Sequence, residues 1–539
     1  MNVLIRNALL IDGTGASGTN SDILFAPQSE GGLIRDIAPA NSIPITADCT
    51  VLNVASQVVG PGFIDIQSHS ILPLMRDGRS LSKVTQGITT EIMGEAWTPA
   101  PFGGKISFPL QNTIFPLAVP EWEKRMFSWN RFSDWLTAYV DDGVSVNVGS
   151  YLGGGTLRNY VMGMSGNAPN SRETREMEHL AAKCIEEGAF GVAYALIYPP
   201  DCYSTTDELV SVCRSVASAG GHYITHVRSE SDRLVEAIEE AIYIAREADS
   251  ALEIYHLKAT GRRNWPKISR VVEMIESARN SGVDVSANIY PYEASGTGLK
   301  AIFPQWASEG GEFYNNLRRA DIRRRIREEL LLEAESGRLP VRAEEIMPIG
   351  LFSPQLFHFN GRTLDEIATS LKLDWVDAAI ELLAEEQQPI SSVYFSISPE
   401  SMRMLAKIPW ISFATDAGGF DPKWAAELGP YHPRAYGSFS KVLGRFVRDE
   451  RLITLEDAIR KMTSLPAKRL GLRRRGILSV GNAADIVVFN PDKIIDNATY
   501  SHPHQLSDGI VHVFVNGDQV VNEGQHTGAL PGQVVTKGC

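Results

Sequence analysis

Cysteine is scarce. Five residues, Cys49, Cys184, Cys202, Cys213 and Cys539, are scattered through 539 positions, with no Cys-x-x-Cys pair. That usage argues against a disulfide framework and for a reducing compartment. No run of about 18 apolar residues occurs, which excludes a membrane-spanning helix. Positive charge is in deficit: 51 Lys and Arg against 64 Asp and Glu leave a net charge of -13. Nucleic acids and anionic membranes need a basic footprint, so neither is an expected partner. A small-molecule substrate is expected instead, and a homo-oligomer stays open. Gly153-Gly154-Gly155 lacks the Lys-Ser or Lys-Thr of a phosphate loop and reads as a tight turn. Solenoid repeats and low-complexity tracts are absent. The stretch Met1–Asn7 has neither a charged leader nor a long apolar core, and a cytoplasmic protein is expected.

What is present is an ordinary globular composition, 43% hydrophobic and 21% charged. The length suits one large α/β unit of about 250 residues with insertions, plus a smaller domain. Both ends are rich in short β runs: Val3–Ile5, Ala8–Ile11 and Val51–Val54 at the front, Ala484–Phe489 and Val511–Asp518 at the back. The expectation is a small β-sandwich domain formed by residues 1–58 and 476–539, flanking a (β/α)8 barrel over 59–475. An insertion is expected late in the barrel, at about 297–346. In its stretch Ile322–Leu330 the arginines are followed at once by acids, and it reads as a solvated helix face.

Between the ends, strand-like and helix-like segments alternate. His222–His226 and Leu252–His256 are two strands that each end in histidine, and 256 − 226 = 30 residues, one barrel repeat of about 30. Both histidines therefore end their strands at one height, on the face where barrel enzymes keep their chemistry. Asp416 follows the apolar run Trp410–Ala414 and precedes Gly418-Gly419, which puts a carboxylate at the end of a late strand.

The run Pro61–Ser70 carries Asp65, Gln67 and His69 two apart, so an extended strand would turn all three to one face. Buried polar groups so placed need partners or a metal. The candidate constellation is His69, His226, His256 and Asp416, with Glu95 as a fifth member. Imidazole nitrogen and carboxylate oxygen are ligands zinc accepts, and such an ion activates water for hydrolysis beside a proton-carrying carboxylate. The competing readings are a structural strand-end histidine for His226 alone and an Asx turn for Asp416. Cys202 has no signature of an activating base and reads as an idle thiol.

Many stretches in order carry a family resemblance. They include Pro61–Asp65, Gln86–Glu91, Gly155–Arg158, Tyr198–Pro200, Thr225–Arg228, His256–Lys258, Tyr290–Tyr292, His432–Gly437, Arg460–Ala467 and Gly481–Val487. The chain resembles the D-aminoacylase branch, the N-acyl-D-amino-acid deacylases of the metal-dependent amidohydrolase superfamily. The resemblance implies a zinc-bearing barrel with a β domain made from both ends. It also implies hydrolysis of the amide of N-acyl-D-amino acids. By the same carry-over, His226 and His256 hold the tighter metal position, and Asp416 moves the proton. Lys258, Tyr290 and Arg434 then lie near the substrate, the two cations suiting its carboxylate.

Two positions depart from the family pattern. Ala96 stands where a metal-binding cysteine is expected, leaving the neighbouring Glu95 to offer a carboxylate. Gln67 stands where the first histidine of a His-x-His pair belongs, and an amide is a poor zinc ligand. One tightly held zinc ion is therefore expected rather than a pair. The alternatives are a related enzyme acting on a cyclic amide, a lactone or a specialised-pathway substrate, and a non-catalytic relative.

Overall fold

Strand Val58–Pro61 is followed, after Gly62 alone, by strand Phe63–Asp65, and the two belong to different sheets. The glycine is required by space: a Cβ at Gly62 would lie 2.2 Å from Thr89 Oγ1. The computed structural model describes residues 1–110, 117–304, 306–308, 312–336 and 339–539.

Eight parallel strands form the centre: β1 (Phe63–Asp65), β2 (Ile88–Met93), β3 (Asn147–Ser150), β4 (Gly191–Ala195), β5 (His222–His226), β6 (Leu252–Ile254), β7 (Val285–Ile289) and β8 (Ile411–Phe413). β1 pairs β2 and β2 pairs β3. Leu152–Gly153, just beyond β3, pairs β4, and the parallel ladder continues in order through β8. Just past the ends of β8 and β1, Ala417 and Ser68 make a parallel bridge. Every residue of these eight strands is buried, as expected of parallel strands covered on both faces.

Helices follow the strands. Ser171–Glu186 starts at a capping box, in which the Asn170 side chain accepts from Glu173 N and Glu173 answers the Asn170 backbone. Thr206–Ser218 is capped by Thr205, whose hydroxyl accepts from Glu208 N. Leu234–Glu247 turns Leu234, Ile238, Ala241 and Ala245 inward at helical spacing, so its stripe packs on the strands.

Between β7 and β8 the chain leaves the parallel layer for longer than the expected 297–346. Ser295–Gly298, Ile346–Pro348 and Ser391–Tyr394 form an antiparallel three-stranded sheet. An apolar cluster of its own runs from Leu299 to Tyr394. The helix holding the arginine-rich stretch is Ala320–Glu335, which buries Ile326 and Leu330, leaves Arg324 exposed, and pairs the half-buried Arg323 and Arg327 with Glu381 and Asp374.

The strands of the two chain ends share one hydrogen-bonded sheet of nine. Its seam is Ile486–Phe489, antiparallel to Val58–Pro61. No helix among the described residues is long and apolar enough to cross a membrane.

Candidate metal centre

β1 is shorter than its sequence pattern suggests. It ends at Asp65, so Gln67 and His69 lie in the turn beyond it, and the three do not share a strand face. Asp65 is drawn away by a buried cation. Lys83 Nζ donates to Asp65 Oδ2 and Thr415 Oγ1, both at 2.6 Å, and to the Ala417 carbonyl at 2.8 Å. Asp65 in turn accepts from Thr415 N at 3.0 Å and Thr415 Oγ1 at 2.6 Å. Glu91 lies 3.4 Å from Lys83 Nζ and accepts from the hydroxyls of Ser68, Ser70 and Ser80. Burial raises the Asp65 carboxyl above its ordinary range, against the lowering pull of Lys83.

This network fixes the backbone on either side of Asp416. Asp416 has φ +52° and His256 has φ +33°, conformations that disfavour L side chains by about 1–3 kcal/mol and persist only where the surroundings enforce them. At Asp416 the enforcement is N–H donation to the Gln67 carbonyl at 3.0 Å. At His256 it is donation to Asn288 Oδ1 at 2.8 Å.

The side chains then converge at the C-terminal ends of the strands. His69 follows β1, Glu95 β2, His226 ends β5, His256 follows β6, Tyr290 β7 and Asp416 β8. Two donor clusters result, Glu95 with His226 and His256, and Glu95 with His69 and Asp416; within each, the ligand atoms lie within 4.8 Å of one another. Glu95 Oε1 is 3.4 Å from His226 Nδ1 and 3.8 Å from His256 Nε2. Its Oε2 is 3.5 Å from His69 Nε2, which stands 2.9 Å from Asp416 Oδ1. Tetrahedral zinc with ligands at about 2.1 Å separates them by about 3.4 Å, close to the 3.4 and 3.8 Å from Glu95 to the two imidazoles.

Gln67 enters this set as a donor. Its Nε2 gives hydrogen bonds to Glu95 Oε2 at 2.7 Å and Asp416 Oδ1 at 3.0 Å, joining the two carboxylates.

The electrostatics follow from burial opposed by charge. Burial would raise Glu95, but hydrogen bonds from His226, His256 and His69 hold it well below the usual carboxylate range. Asp416 is likewise held low against burial, by Arg434, His256 and His69. Burial lowers His69, yet hydrogen bonds to Asp416 and Glu95 prevail and push it up to about 9. His256 also rises to about 9: burial and Lys258 lower it, but Asp416 and Glu230 outweigh them.

The other expected residues line the same space. Arg434 Nη1 is 2.6 Å from Asp416 Oδ2, and its guanidinium carbon sits 4.7 Å from the centre of the Tyr290 ring. Lys258 Nζ is 5.7 Å from that ring. His432, on the turn ahead of Arg434, is occupied locally by the Ala294 carbonyl and the Arg434 backbone. Two residues were missed by sequence reasoning. Lys83 reads as one more polar residue of a short helix. Glu230 lies in a loop four residues past His226, and that spacing was its only signal. Its Oε1 is 2.5 Å from Lys258 Nζ.

A family model described as the amidohydrolase family matches residues 402–521. An N-acyl-D-aspartate deacylase of Alcaligenes xylosoxydans xylosoxydans is 34% identical over 99% of this chain and 95% of its own length. That extent decides the family. The chain belongs to the amidohydrolases, in the D-aminoacylase branch. Among solved amidohydrolases of this branch, the crystal structure of a D-aminoacylase superposes with a TM-score of 0.79 at 29% identity, covering 99% of both chains. The N-acyl-D-glutamate deacylase of Bordetella bronchiseptica, complexed with zinc and a phosphonate mimic of the tetrahedral intermediate, gives the same TM-score at 28% identity, again over 99% of each chain.

Proposed function

We propose that this amidohydrolase is a metal-dependent hydrolase that cleaves the amide of N-acyl-D-amino acids with activated water. The observation that carries the reading is Glu95, a carboxylate shared between two ligand clusters at the ends of parallel strands, in a chain related over its whole length to deacylases. Glu95, His226 and His256 would hold one zinc ion. When bound, that ion supplies a water of lowered pKa and polarises the scissile carbonyl.

The chain's own groups do the rest. Asp416, kept ionised by Arg434 and His69, accepts the proton of the attacking water and delivers it to the leaving amine. His69, 2.9 Å from Asp416 Oδ1, orients that carboxylate and lines the second cluster. Lys258 and Arg434, flanking Tyr290, receive the substrate carboxylate in charge-assisted hydrogen bonds. Gln67 supplies a neutral donor where a second ion would need an imidazole, which supports a single metal.

The finer architecture is part of the same reading. The strand order and the Ser68–Ala417 bridge support a closed (β/α)8 barrel over about 59–475. The nine-stranded sheet supports a β domain drawn from both ends, 1–58 and 476–539.

The test is zinc content by elemental analysis together with turnover on N-acyl-D-amino acids with acidic and neutral side chains, their L-forms and cyclic amides. About one zinc per chain and turnover of the linear D-substrates alone are expected. Turnover of cyclic amides in preference to linear ones, or turnover indifferent to chelation, would reject the reading.

A further inference from the structure

His226 and His256 each have two ring nitrogens, and the structure sorts them. The nitrogens toward Glu95 are His226 Nδ1 at 3.4 Å and His256 Nε2 at 3.8 Å. The other two, His226 Nε2 and His256 Nδ1, both approach one atom, Glu230 Oε1, at 3.4 and 3.2 Å. The rings are nearly perpendicular, 85° apart with centroids 4.5 Å apart, so a single oxygen meets the edges of both.

An imidazole that gives one nitrogen to a metal keeps its proton on the other, and that N–H needs an acceptor. At His256 two groups compete for the position. Lys258 Nζ is nearer, 2.9 Å from Nδ1, but an ammonium only donates. Glu230 Oε1, 3.2 Å from Nδ1, is the acceptor-type group there, and it also neutralises Lys258 at 2.5 Å. His226 Nε2 is buried and has no hydrogen bond of its own, with Glu230 Oε1 as the carboxylate beside it.

Glu230 is held to this task by its backbone. Thr260 N donates to the Glu230 carbonyl at 2.7 Å, tying the loop after β5 to the loop after β6. Two residues earlier, Arg228 pins the same loop. It donates to both carboxylate oxygens of Glu240 and to the carbonyls of Cys202 and Ser204. The carboxylate is thus presented from a fixed backbone, with its side chain 15% exposed.

We propose that Glu230 is the positioning residue of the metal centre. Its one oxygen, 3.4 and 3.2 Å from the outward nitrogens of His226 and His256, is the acceptor their N–H groups would take when the opposite nitrogens, toward Glu95, hold the ion. This rests on the reading of Glu95, His226 and His256 as metal ligands. Removing such an outer partner lowers metal affinity by about 10- to 100-fold.

The experiment measures the zinc affinity of the full-length chain by competition with a chelating dye, for wild type, Glu230→Gln, Lys258→Met and the double variant. Melting of each metal-stripped protein and the visible spectrum of each cobalt-loaded protein are recorded alongside. Glu230→Gln should weaken zinc about 10- to 100-fold and alter the cobalt spectrum, and in the Lys258→Met background, where no buried cation is left unpaired, it should leave the metal-free melting temperature at the Lys258→Met value. The same loss should appear when Glu230→Gln is introduced into Lys258→Met. Zinc affinity within twofold of wild type overturns the proposal, as does a loss that vanishes in the Lys258→Met background, which would reduce Glu230 to a counter-ion. Should Glu230→Gln not fold, Glu230→Asp withdraws the oxygen by one methylene and must itself weaken zinc; an unchanged affinity there also overturns it. Wild-type protein that binds no zinc rejects the ligand reading, and this proposal with it.

Discussion

The side-chain amide of Gln67 donates to Glu95 Oε2 at 2.7 Å from the position where a metal-binding imidazole is expected in this family. The same nitrogen reaches Asp416 Oδ1 at 3.0 Å, so one neutral group separates and satisfies two carboxylates. A glutamine does this without offering zinc a good lone pair. Gln67→His should raise the bound metal from about one ion per chain toward two. Elemental analysis after loading with excess zinc checks it, and an unchanged stoichiometry would clear Gln67 of that role.

Asp416 is held ionised and aimed inward from an enforced left-handed backbone. Asp416→Asn keeps the shape and removes the group proposed as proton acceptor. Turnover should fall by about 10²- to 10⁴-fold, the usual contribution of a positioned acid–base group, while zinc content stays at the wild-type level. Wild-type turnover in that variant would remove Asp416 from the chemistry.

Lys83 and Asp65 are both fully buried and 2.6 Å apart. Replacing Lys83 by Met leaves Asp65 and Glu91 without their shared cation. Breaking a buried pair in this way costs about 3–5 kcal/mol, to be read from denaturant unfolding. A loss below 1 kcal/mol would mean the carboxylates find another partner.

His222, at the start of β5, bonds the Tyr151 hydroxyl through Nε2 at 2.8 Å. Burial, and then the charges of Arg469 and Lys537, lower its pKa to about 3. The unfolded chain protonates this histidine near pH 6.5 while the folded chain does not, so the unfolded state binds more protons between about 6.5 and 3. Stability therefore falls as pH drops through that window, by about 1.4 kcal/mol per unit from this group. His222→Gln should flatten the slope by that amount between pH 6 and pH 5. Parallel slopes in denaturant titrations would rule His222 out as a source of acid sensitivity.

His226, His256 and Asp416 were legible as candidates because each ends or shortly follows a buried strand, and burial on both faces leaves a plain apolar run that makes the polar residue after it conspicuous. Glu95 was legible only as a neighbour of the missing cysteine. The turn holding Gln67 and His69 was misread as strand, because period-two spacing is the same whether the chain stays extended or bends. Glu230 and Lys83 were invisible for another reason. Their partners lie in the segments after other strands, Glu230 with His256 and Lys258 after β6, Lys83 with Thr415 and Ala417 after β8. No local pattern encodes a pairing across 332 positions, such as Lys83 with Thr415. The excursion between β7 and β8 runs longer than expected because its later helix Leu364–Leu371 is as amphipathic as those packed on the parallel strands.

The seam between Val58–Pro61 and Ile486–Phe489 also sets an order of events during synthesis. The two segments are 486 − 61 = 425 residues apart, which at about 5–20 residues per second is roughly 20–85 s of translation. Val58–Pro61, one glycine ahead of β1, is made long before the segment that pairs this edge. The edge that leads into β1 is thus closed only after every residue of the candidate site has been made.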